Sequence, residues 1–168
     1  MIGRSQKLIA LIFTIATILS TVVIAYSSTS YVGVSLAVRS MSAFVADFHA
    51  ELIDEGHLTV TTMIAVNNTS QYQFSVLVLE QQVYVNQTYA GSSSVTFPRN
   101  NPLVVSPRST TNHTLGIHLP LEFLQPDLVE WLLDPGITKS WVTYVNVFCE
   151  GPLVGNFQLS TLASKESF

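Results

Sequence analysis

The stretch Phe44–Val66, FVADFHAELIDEGHLTVTTMIAV, decides the fold because it holds two alternating runs on either side of a glycine turn. Mostly apolar or small side chains occupy every second position, as expected for strands with one buried face. These positions are Phe44, Ala46, Phe48, Ala50 and Leu52 before the turn, and Leu58, Val60, Thr62, Ile64 and Val66 after it. Because Asp54-Glu55-Gly56-His57 is a hairpin-type turn, the pattern predicts two antiparallel strands.

A helical interpretation of the first run stays open. Val38, Met41, Val45, Phe48 and Leu52 also form an apolar stripe at helical spacing. Such a helix would continue the apolar segment that precedes it, as in a pilin.

The remainder of the chain predicts further short strands and one late helix. Strands are expected at Tyr72–Glu80, Val83–Asn86, Thr110–Leu119, Trp141–Glu150 and Asn156–Leu162. Gln81-Gln82 is expected to separate the first two strands, and Tyr89–Ser94 to form a loop. Pro126 suits the first turn of a helix that Asp134-Pro135-Gly136 would end. The fold class is therefore mainly β: an antiparallel, immunoglobulin-like or fibronectin-like β-sandwich with one short helix.

An uncharged run at Leu8–Tyr26, LIALIFTIATILSTVVIAY, predicts a single transmembrane helix. As a helix its 19 residues would span roughly 29 Å, close to the hydrocarbon thickness of a bilayer. Arg4 and Lys7 precede it, so the positive-inside rule predicts a cytoplasmic N-terminus and an outer C-terminal domain at the plasma membrane. A cleaved signal with Ala25 and Ser27 near the cut is the alternative.

These elements divide the chain into five segments. They are a cytoplasmic N-terminus at 1–7, a transmembrane helix at 8–26, a Ser-rich stalk at 27–42, a β-sandwich at 43–162 and a tail at 163–168.

Composition and motifs argue against several classes of function. Beyond Arg4 and Lys7, five basic and eleven acidic residues remain, which disfavours nucleic-acid binding. One cysteine, Cys149, cannot form an internal disulfide and is expected to be a small buried hydrophobic residue. The chain has no nucleophile elbow, phosphate loop or dinucleotide fingerprint, so neither an enzyme nor a cofactor is expected.

Four Asn-x-Ser/Thr triplets are candidate N-glycosylation sites on the predicted outer side. They begin at Asn67, Asn68, Asn86 and Asn112. Asn67 and Asn68 overlap in Asn67-Asn68-Thr69-Ser70, so a glycan on one would crowd the other.

Other polar clusters are weaker candidates for a site. Asp47, His49 and Glu51 would share one strand face near His57, but such a row is usually a solvated surface and no metal site is expected. His113 and His118 have opposite strand parity, so they should not converge.

The late helix carries an apolar side formed by Leu128, Val129, Trp131 and Leu132. It is expected to face the core. If the helix lifted from the sheet, Leu128, Trp131 and Leu132 would contact a lipid or a partner protein.

The order of these features resembles the late-embryogenesis-abundant type 2 family, also called the water-stress and hypersensitive-response domain. The resemblance rests on Val60–Ser70 (VTTMIAVNNTS), on Leu119-Pro120-Leu121 followed by Trp131–Asp134, and on Gly151–Leu159 (GPLVGNFQL). Asn68 stands where the family usually has Pro. The resemblance implies a non-enzymatic domain with a role in stress protection, and some related domains are linked to lipid binding.

Together these observations predict a membrane-anchored, non-enzymatic module in contact with the lipid bilayer, N-linked glycans, and other envelope proteins or itself. Its expected role is accessory binding or stress protection of the envelope. The alternatives are a lipid-binding module that uses the gap beside residues 126–133, and a filament subunit packed through its N-terminal helix.

Overall fold

The structure, a computed structural model, describes residues 4–54, 56–134, 136–152 and 155–167. It begins with a long helix, α1 (Arg4–Arg39), and continues into a mainly β domain. The strands are β1 (Met41–Asp54), β2 (His57–Asn68), β3 (Phe74–Val85), β4 (Thr88–Thr96), β5 (Leu103–Val105), β6 (Ser109–Pro120), β7 (Lys139–Gly151) and β8 (Gly155–Ser167). A 3₁₀ turn (Leu121–Phe123) and a short helix, α2 (Pro126–Leu133), connect β6 to β7. The mainly β, antiparallel architecture predicted from the alternation is confirmed.

Two antiparallel sheets form the sandwich. One has the order β1-β2-β6, and the other has the order β4-β3-β7-β8, with β5 pairing the start of β3. Apolar side chains fill the space between the sheets in two clusters, one around Ile64, Phe74 and Val147 and the other around Val60, Val83 and Trp141. Because β1 follows α1 directly, the first cluster lies at the end of the sandwich next to α1.

The alternation predicted for the first strand is wrong in part, because β1 contains a β-bulge. The pairing with β2 shifts between Val45 and Asp47, so the inward positions change parity there. Met41 faces inward before the bulge and Phe48 after it, while Phe44 is left 45% exposed. Residues 41–54 nevertheless form a strand, so the helical alternative for this stretch is wrong.

Two sequence features predicted as breaks are part of continuous strands. Gln81-Gln82 lies within β3, where the fully buried Gln81 donates from Nε2 to Thr62 Oγ1 at 2.8 Å. The predicted loop at Tyr89–Ser94 lies within β4, which pairs with β3 from Thr88 to Thr96. Backbone hydrogen bonding to β3 therefore outweighs the turn-like composition of this serine-rich run.

The segment predicted as a stalk is helical through Arg39 and docks on the sandwich. Val34 and Ala37 are buried, and Ala37 belongs to the core cluster beside α1. Gly33 lies so close to the β2–β3 connection that a Cβ there would be 2.9 Å from the hydroxyl of Tyr72. At the other end of the chain, β8 extends through Ser167, into the predicted tail.

The late helix is confirmed with the expected boundary residue. α2 begins at Pro126, whose missing N–H costs nothing in a first turn, and Leu128 and Leu132 pack against the core. Part of each predicted turn at 54–57, 134–136 and 151–155 lies outside the described residues.

Candidate functional site

The doubled sequon contains two asparagines with opposite environments. Asn68 is fully buried: its Nδ2 donates to the carbonyl oxygens of Tyr72 (2.7 Å), Ser106 (3.0 Å) and Val105 (3.3 Å). Its Oδ1 accepts from the backbone N–H of Ser70 (3.0 Å) and from Ser70 Oγ (2.7 Å). A glycan needs the same Nδ2, so the proposal of Asn68 as a glycosylation site is incompatible with the folded domain.

Asn67 lies at the surface of the same strand. It is half-buried, and its Oδ1 accepts a 3.2 Å hydrogen bond from Thr110 Oγ1. Thr69 Oγ1 donates to the carbonyl of Ser40 at 3.1 Å, just after α1. Residues 65–72 (AVNNTSQY) thus form a structural joint between β2, β5 and the end of α1.

Asn86 is on the two-residue turn between β3 and β4. Asn86 and Gln87 have φ of 48° and 69°, the left-handed backbone that tight hairpin turns require and that asparagine tolerates well. Asn86 Oδ1 accepts from the backbone N–H of Ser140 at 2.8 Å, which fixes the side-chain amide against β7. Asn112 is exposed on β6. Occupancy of Asn67, Asn86 and Asn112 by glycans stays a prediction.

The row of polar residues on β1 does not form a cluster suited to metal binding. His49 Nε2 lies 3.0 Å from Glu51 Oε2, with both side chains more than half exposed. The bulge before Asp47 changes the register of the row relative to the rest of β1. Within the described part of the chain, no three His, Cys, Asp or Glu side chains are placed to hold a metal ion.

The remaining titratable candidates are structural. His118 Nδ1 lies 3.1 Å from Thr59 Oγ1, while His113 packs edge-on against Phe97, so the two histidines are separate as predicted. Cys149 is buried, and burial raises the pKa of its thiol to about 12. A thiol that stays protonated at neutral pH is a poor nucleophile, which agrees with the predicted packing role.

The apolar side of α2 is closed against the sheet. Leu128 and Leu132 are buried, and Trp131 is half-buried. A small cavity of about 190 Å³ lies beside Leu132, Lys139 and Trp141. Lys139 Nζ donates to the backbone carbonyls of Asp134 (3.0 Å) and Ile137 (3.3 Å), so this buried cation stabilises the segment that follows α2.

A group of tyrosines on the outer face of the larger sheet was not predicted from the sequence. Tyr84, Tyr89 and Tyr144 come from β3, β4 and β7, and their rings meet edge to face. The chain separates these residues, so only strand register reveals the group. Alternation within Val83–Asn86 and Trp141–Glu150 would have placed Tyr84 and Tyr144 outward, but not side by side.

The apolar surface of α1 is the largest exposed hydrophobic feature. Gln6–Arg39 is long and apolar enough to cross a membrane, with a mean hydropathy of 2.6 over the most apolar part and none of that part buried. Exposed leucine, isoleucine, valine and phenylalanine side chains cover the helix from Leu8 to Ile24.

Comparison with known proteins supports the fold. No protein-family model matches the chain, and no curated protein matches its sequence. The solution structure of AT1g01470 from Arabidopsis thaliana is similar, with a TM-score of 0.56 and 14% identity over 74% of this chain and 79% of that one. A predicted late embryogenesis abundant protein, At2g46140.1, has a TM-score of 0.55 and 11% identity, covering 94% of this chain and 87% of its own.

A third similar structure comes from an archaeon. The protein from Archaeoglobus fulgidus has a TM-score of 0.52 and 15% identity over 76% of this chain and 94% of that one. At these identities the likeness concerns the fold alone. The chain therefore has a sandwich fold like that of late embryogenesis abundant proteins, as the sequence motifs suggested.

Proposed function

We propose that the chain is a single-pass membrane protein that holds a non-enzymatic β-sandwich at the outer face of the plasma membrane. Its work there is accessory binding of envelope proteins, or protection of the envelope under stress. The observation that carries the proposal is α1, whose exposed apolar surface needs a lipid environment and whose last turns are part of the sandwich core.

The fused joint between α1 and the sandwich supports an anchor rather than a loose tether. Ala37 packs in the core, Gly33 closely approaches Tyr72, and Thr69 bonds to the carbonyl of Ser40. A helix fixed in this way holds the domain at a set angle to the bilayer. Rigid presentation is useful to a module that must meet a partner in the same membrane or in the layer above it.

Charge at the two ends of the sandwich supports the same orientation. Arg39, Arg99 and Arg108 are exposed at the end where α1 leaves the domain. Exposed acidic side chains lie near the opposite end, in the β6–α2–β7 connection: Glu122, Asp127, Glu130 and Asp134. Arginines next to a bilayer are attracted to lipid phosphates, whereas carboxylates are repelled.

The fold likeness supports the non-enzymatic part of the proposal. One similar structure, At2g46140.1, bears the name of a late embryogenesis abundant protein, which is consistent with stress protection. Among the described residues, α2 is closed against the sheet and the cavity of about 190 Å³ beside it is too small for an acyl chain, which disfavours the lipid-binding alternative.

Cysteine labelling tests the topology, because the native Cys149 is buried and protonated. Ser94→Cys adds a thiol to the exposed face of β4, and Gln6→Cys adds one at the start of α1. A membrane-impermeant maleimide should label Ser94→Cys in intact cells, and Gln6→Cys only after permeabilisation. The reverse pattern would refute the orientation, and release of the chain by alkaline carbonate would refute the anchor.

A filament subunit is the second candidate, favoured by the length of α1. The helix extends 13 residues past Tyr26 to Arg39, although it ends well before Ile53, which lies within β1. In a filament, the exposed apolar side of α1 would pack against copies of itself. Electron microscopy and native mass spectrometry after mild detergent extraction would show polymers for a filament, and a single chain or a defined complex for an anchored module.

A further inference from the structure

The outer face of the β4-β3-β7-β8 sheet carries a row of three tyrosines near the β3–β4 turn. Tyr84 lies between the other two, with ring centroids 5.6 Å from Tyr89 and 5.5 Å from Tyr144. Its ring is tilted by 68° to the first and 83° to the second. Tyr89 and Tyr144 remain 49% and 46% exposed, so aromatic surface is presented to the solvent.

An open cleft lies beside two of these rings, which contact each other edge to face. Tyr84 and Tyr144 form its aromatic sides, and Val142 and Gln87 complete the lining. Its volume is about 300 Å³, at the small end of the range for ligand pockets. We name these four residues the tyrosine cleft.

Neutral hydrogen-bonding groups lie on the same sheet face as the tyrosine cleft. Tyr84 Oη donates to Gln82 Oε1 at 3.3 Å, and Tyr89 Oη donates to Ser92 Oγ at 2.9 Å. Further along the same face, Asn146 Oδ1 accepts from Gln158 Nε2 (2.9 Å) and Ser160 Oγ (2.8 Å). These bonds hold the amides in place and leave the second polar atom of each amide without a partner among the described residues.

The charge of this face restricts the ligand. Among the described residues, no charged side chain lines the tyrosine cleft, and the half-buried Glu80 lies on the same face beyond Gln82. An anion or a nucleic acid would find no cation among these lining residues. A lipid tail would meet tyrosine hydroxyls and amides instead of a continuous apolar channel.

We propose that the tyrosine cleft binds a pyranose ring of a neutral glycan. A pyranose has an apolar C–H face that stacks on an aromatic ring, and a rim of hydroxyl groups that both donate and accept hydrogen bonds. Tyr144 provides the ring, while Gln82 and Gln87 provide uncharged donors and acceptors at the edge. This binding activity goes beyond the proposed anchoring role, and its test is independent of that role.

The glycan has two sources that the experiment must separate. One is a free oligosaccharide or a polysaccharide of the envelope. The other is a glycan on Asn86, since Asn86 precedes Gln87 on the turn that borders the tyrosine cleft. Asn86 Oδ1 is held by Ser140, but Nδ2 has no bond within the described part of the chain and is free to carry a sugar.

The test is titration of the full chain, made without N-glycosylation and kept in a detergent without a sugar headgroup. The probes are the hexaoses of five neutral series: cellohexaose, laminarihexaose, maltohexaose, mannohexaose and chitohexaose. Saturation-transfer NMR and calorimetry should detect at least one of them. Tyr144→Ala should weaken its binding at least tenfold, whereas Tyr144→Phe, which keeps the ring, should weaken it less than threefold.

Phe123→Ala is the matched control, because Phe123 is an aromatic residue 76% exposed elsewhere on the domain. It should leave binding unchanged. The same titration is repeated with protein from a host that attaches N-glycans. If the oligosaccharide no longer binds and Asn86→Gln restores its binding, the glycan attached to Asn86 is the occupant. If the oligosaccharide still binds, the occupant is a free glycan. Failure of all five probes to bind at 10 mM, or equal binding by Tyr144→Ala, overturns the proposal.

Discussion

Replacing Asn68 by alanine should destabilise the domain far more than the same change at the adjacent Asn67. Asn68 makes four hydrogen bonds of 3.0 Å or less, two to carbonyl oxygens and two from Ser70. Each of these bonds contributes about 1 kcal/mol net to the free energy of unfolding. Hydroxyl groups can partly replace some of them, so Asn68→Ala should lower that free energy by about 3 kcal/mol. Asn67 makes one exposed 3.2 Å bond, so its loss should cost less than about 0.5 kcal/mol.

Thermal unfolding of the full chain in detergent, followed by the fluorescence of the buried Trp141, measures this difference. For a domain of this size, about 3 kcal/mol corresponds to a fall in Tm of roughly 12 °C. The Asn68→Asp variant provides a second test of the same bonds. Its ionised carboxylate would face the carbonyl oxygens that accept hydrogen bonds from Asn68 Nδ2. Its folded pKa should be raised, so this variant should be more stable near pH 4 than at pH 7.

Equal Tm values for the Asn67→Ala and Asn68→Ala variants would refute the reasoning. They would mean that the burial and bonds of Asn68 contribute nothing that water cannot replace. An occupied glycan at Asn68 in folded protein, found by peptide mass mapping, would refute it equally.

Three further predictions concern the core. Gly91→Ala should lower Tm because the new Cβ would lie 2.7 Å from Leu119 Cδ1, and Leu119→Ala in the same chain should recover part of the loss. Thr62→Val should destabilise the domain by about 1–3 kcal/mol because it leaves Gln81 Nε2 unpaired. The double variant Thr62→Val with Gln81→Met should be nearly neutral, because it removes both partners and Gln81 Oε1 already lacks a partner among the described residues. Cys149 should resist alkylation by N-ethylmaleimide at pH 8 until denaturant is added. Its pKa is raised from 9.0 to about 12, so the protonated thiol favours the folded state, and Tm should fall as the pH rises above about 9.

The sequence predicted the elements whose period is unbroken and missed those that depend on a partner strand. The second run of the opening hairpin and the proline-started helix are clear because each buries one face along its whole length. The inward face of β1 could not be followed, since the bulge at Val45–Asp47 adds one residue that only the pairing with β2 reveals.

Composition misled in two places for the same physical reason. The serines of β4 suggest a loop, yet their backbone pairs with β3, and Gly91 sits under Leu119. Gln81 looks like a strand end, yet Thr62 satisfies its amide nitrogen inside the core. A polar side chain indicates an exposed position only when the opposite sheet offers it no hydrogen-bond partner. A single sequence does not show which residue that partner is.

The positions of the proposed membrane-facing end and of the tyrosine cleft follow from how α1 meets the sandwich. β3 begins beside the docked end of α1 and runs away from it, so Tyr84, ten residues after Phe74, lies about 33 Å further from the joint at 3.3 Å per residue. With α1 in a bilayer, the arginines would lie near the headgroups and the tyrosine cleft would lie near the far end of the domain. In the proposed arrangement, a cleft for neutral sugars at that distance would reach material above the membrane, and the docked helix would keep the domain from folding down onto the lipid. The proposed anchor and the tyrosine cleft together make one prediction. Gly33→Val, which should loosen the joint between α1 and the sandwich, should weaken attachment to an envelope glycan in cells. It should leave the affinity for the free oligosaccharide unchanged.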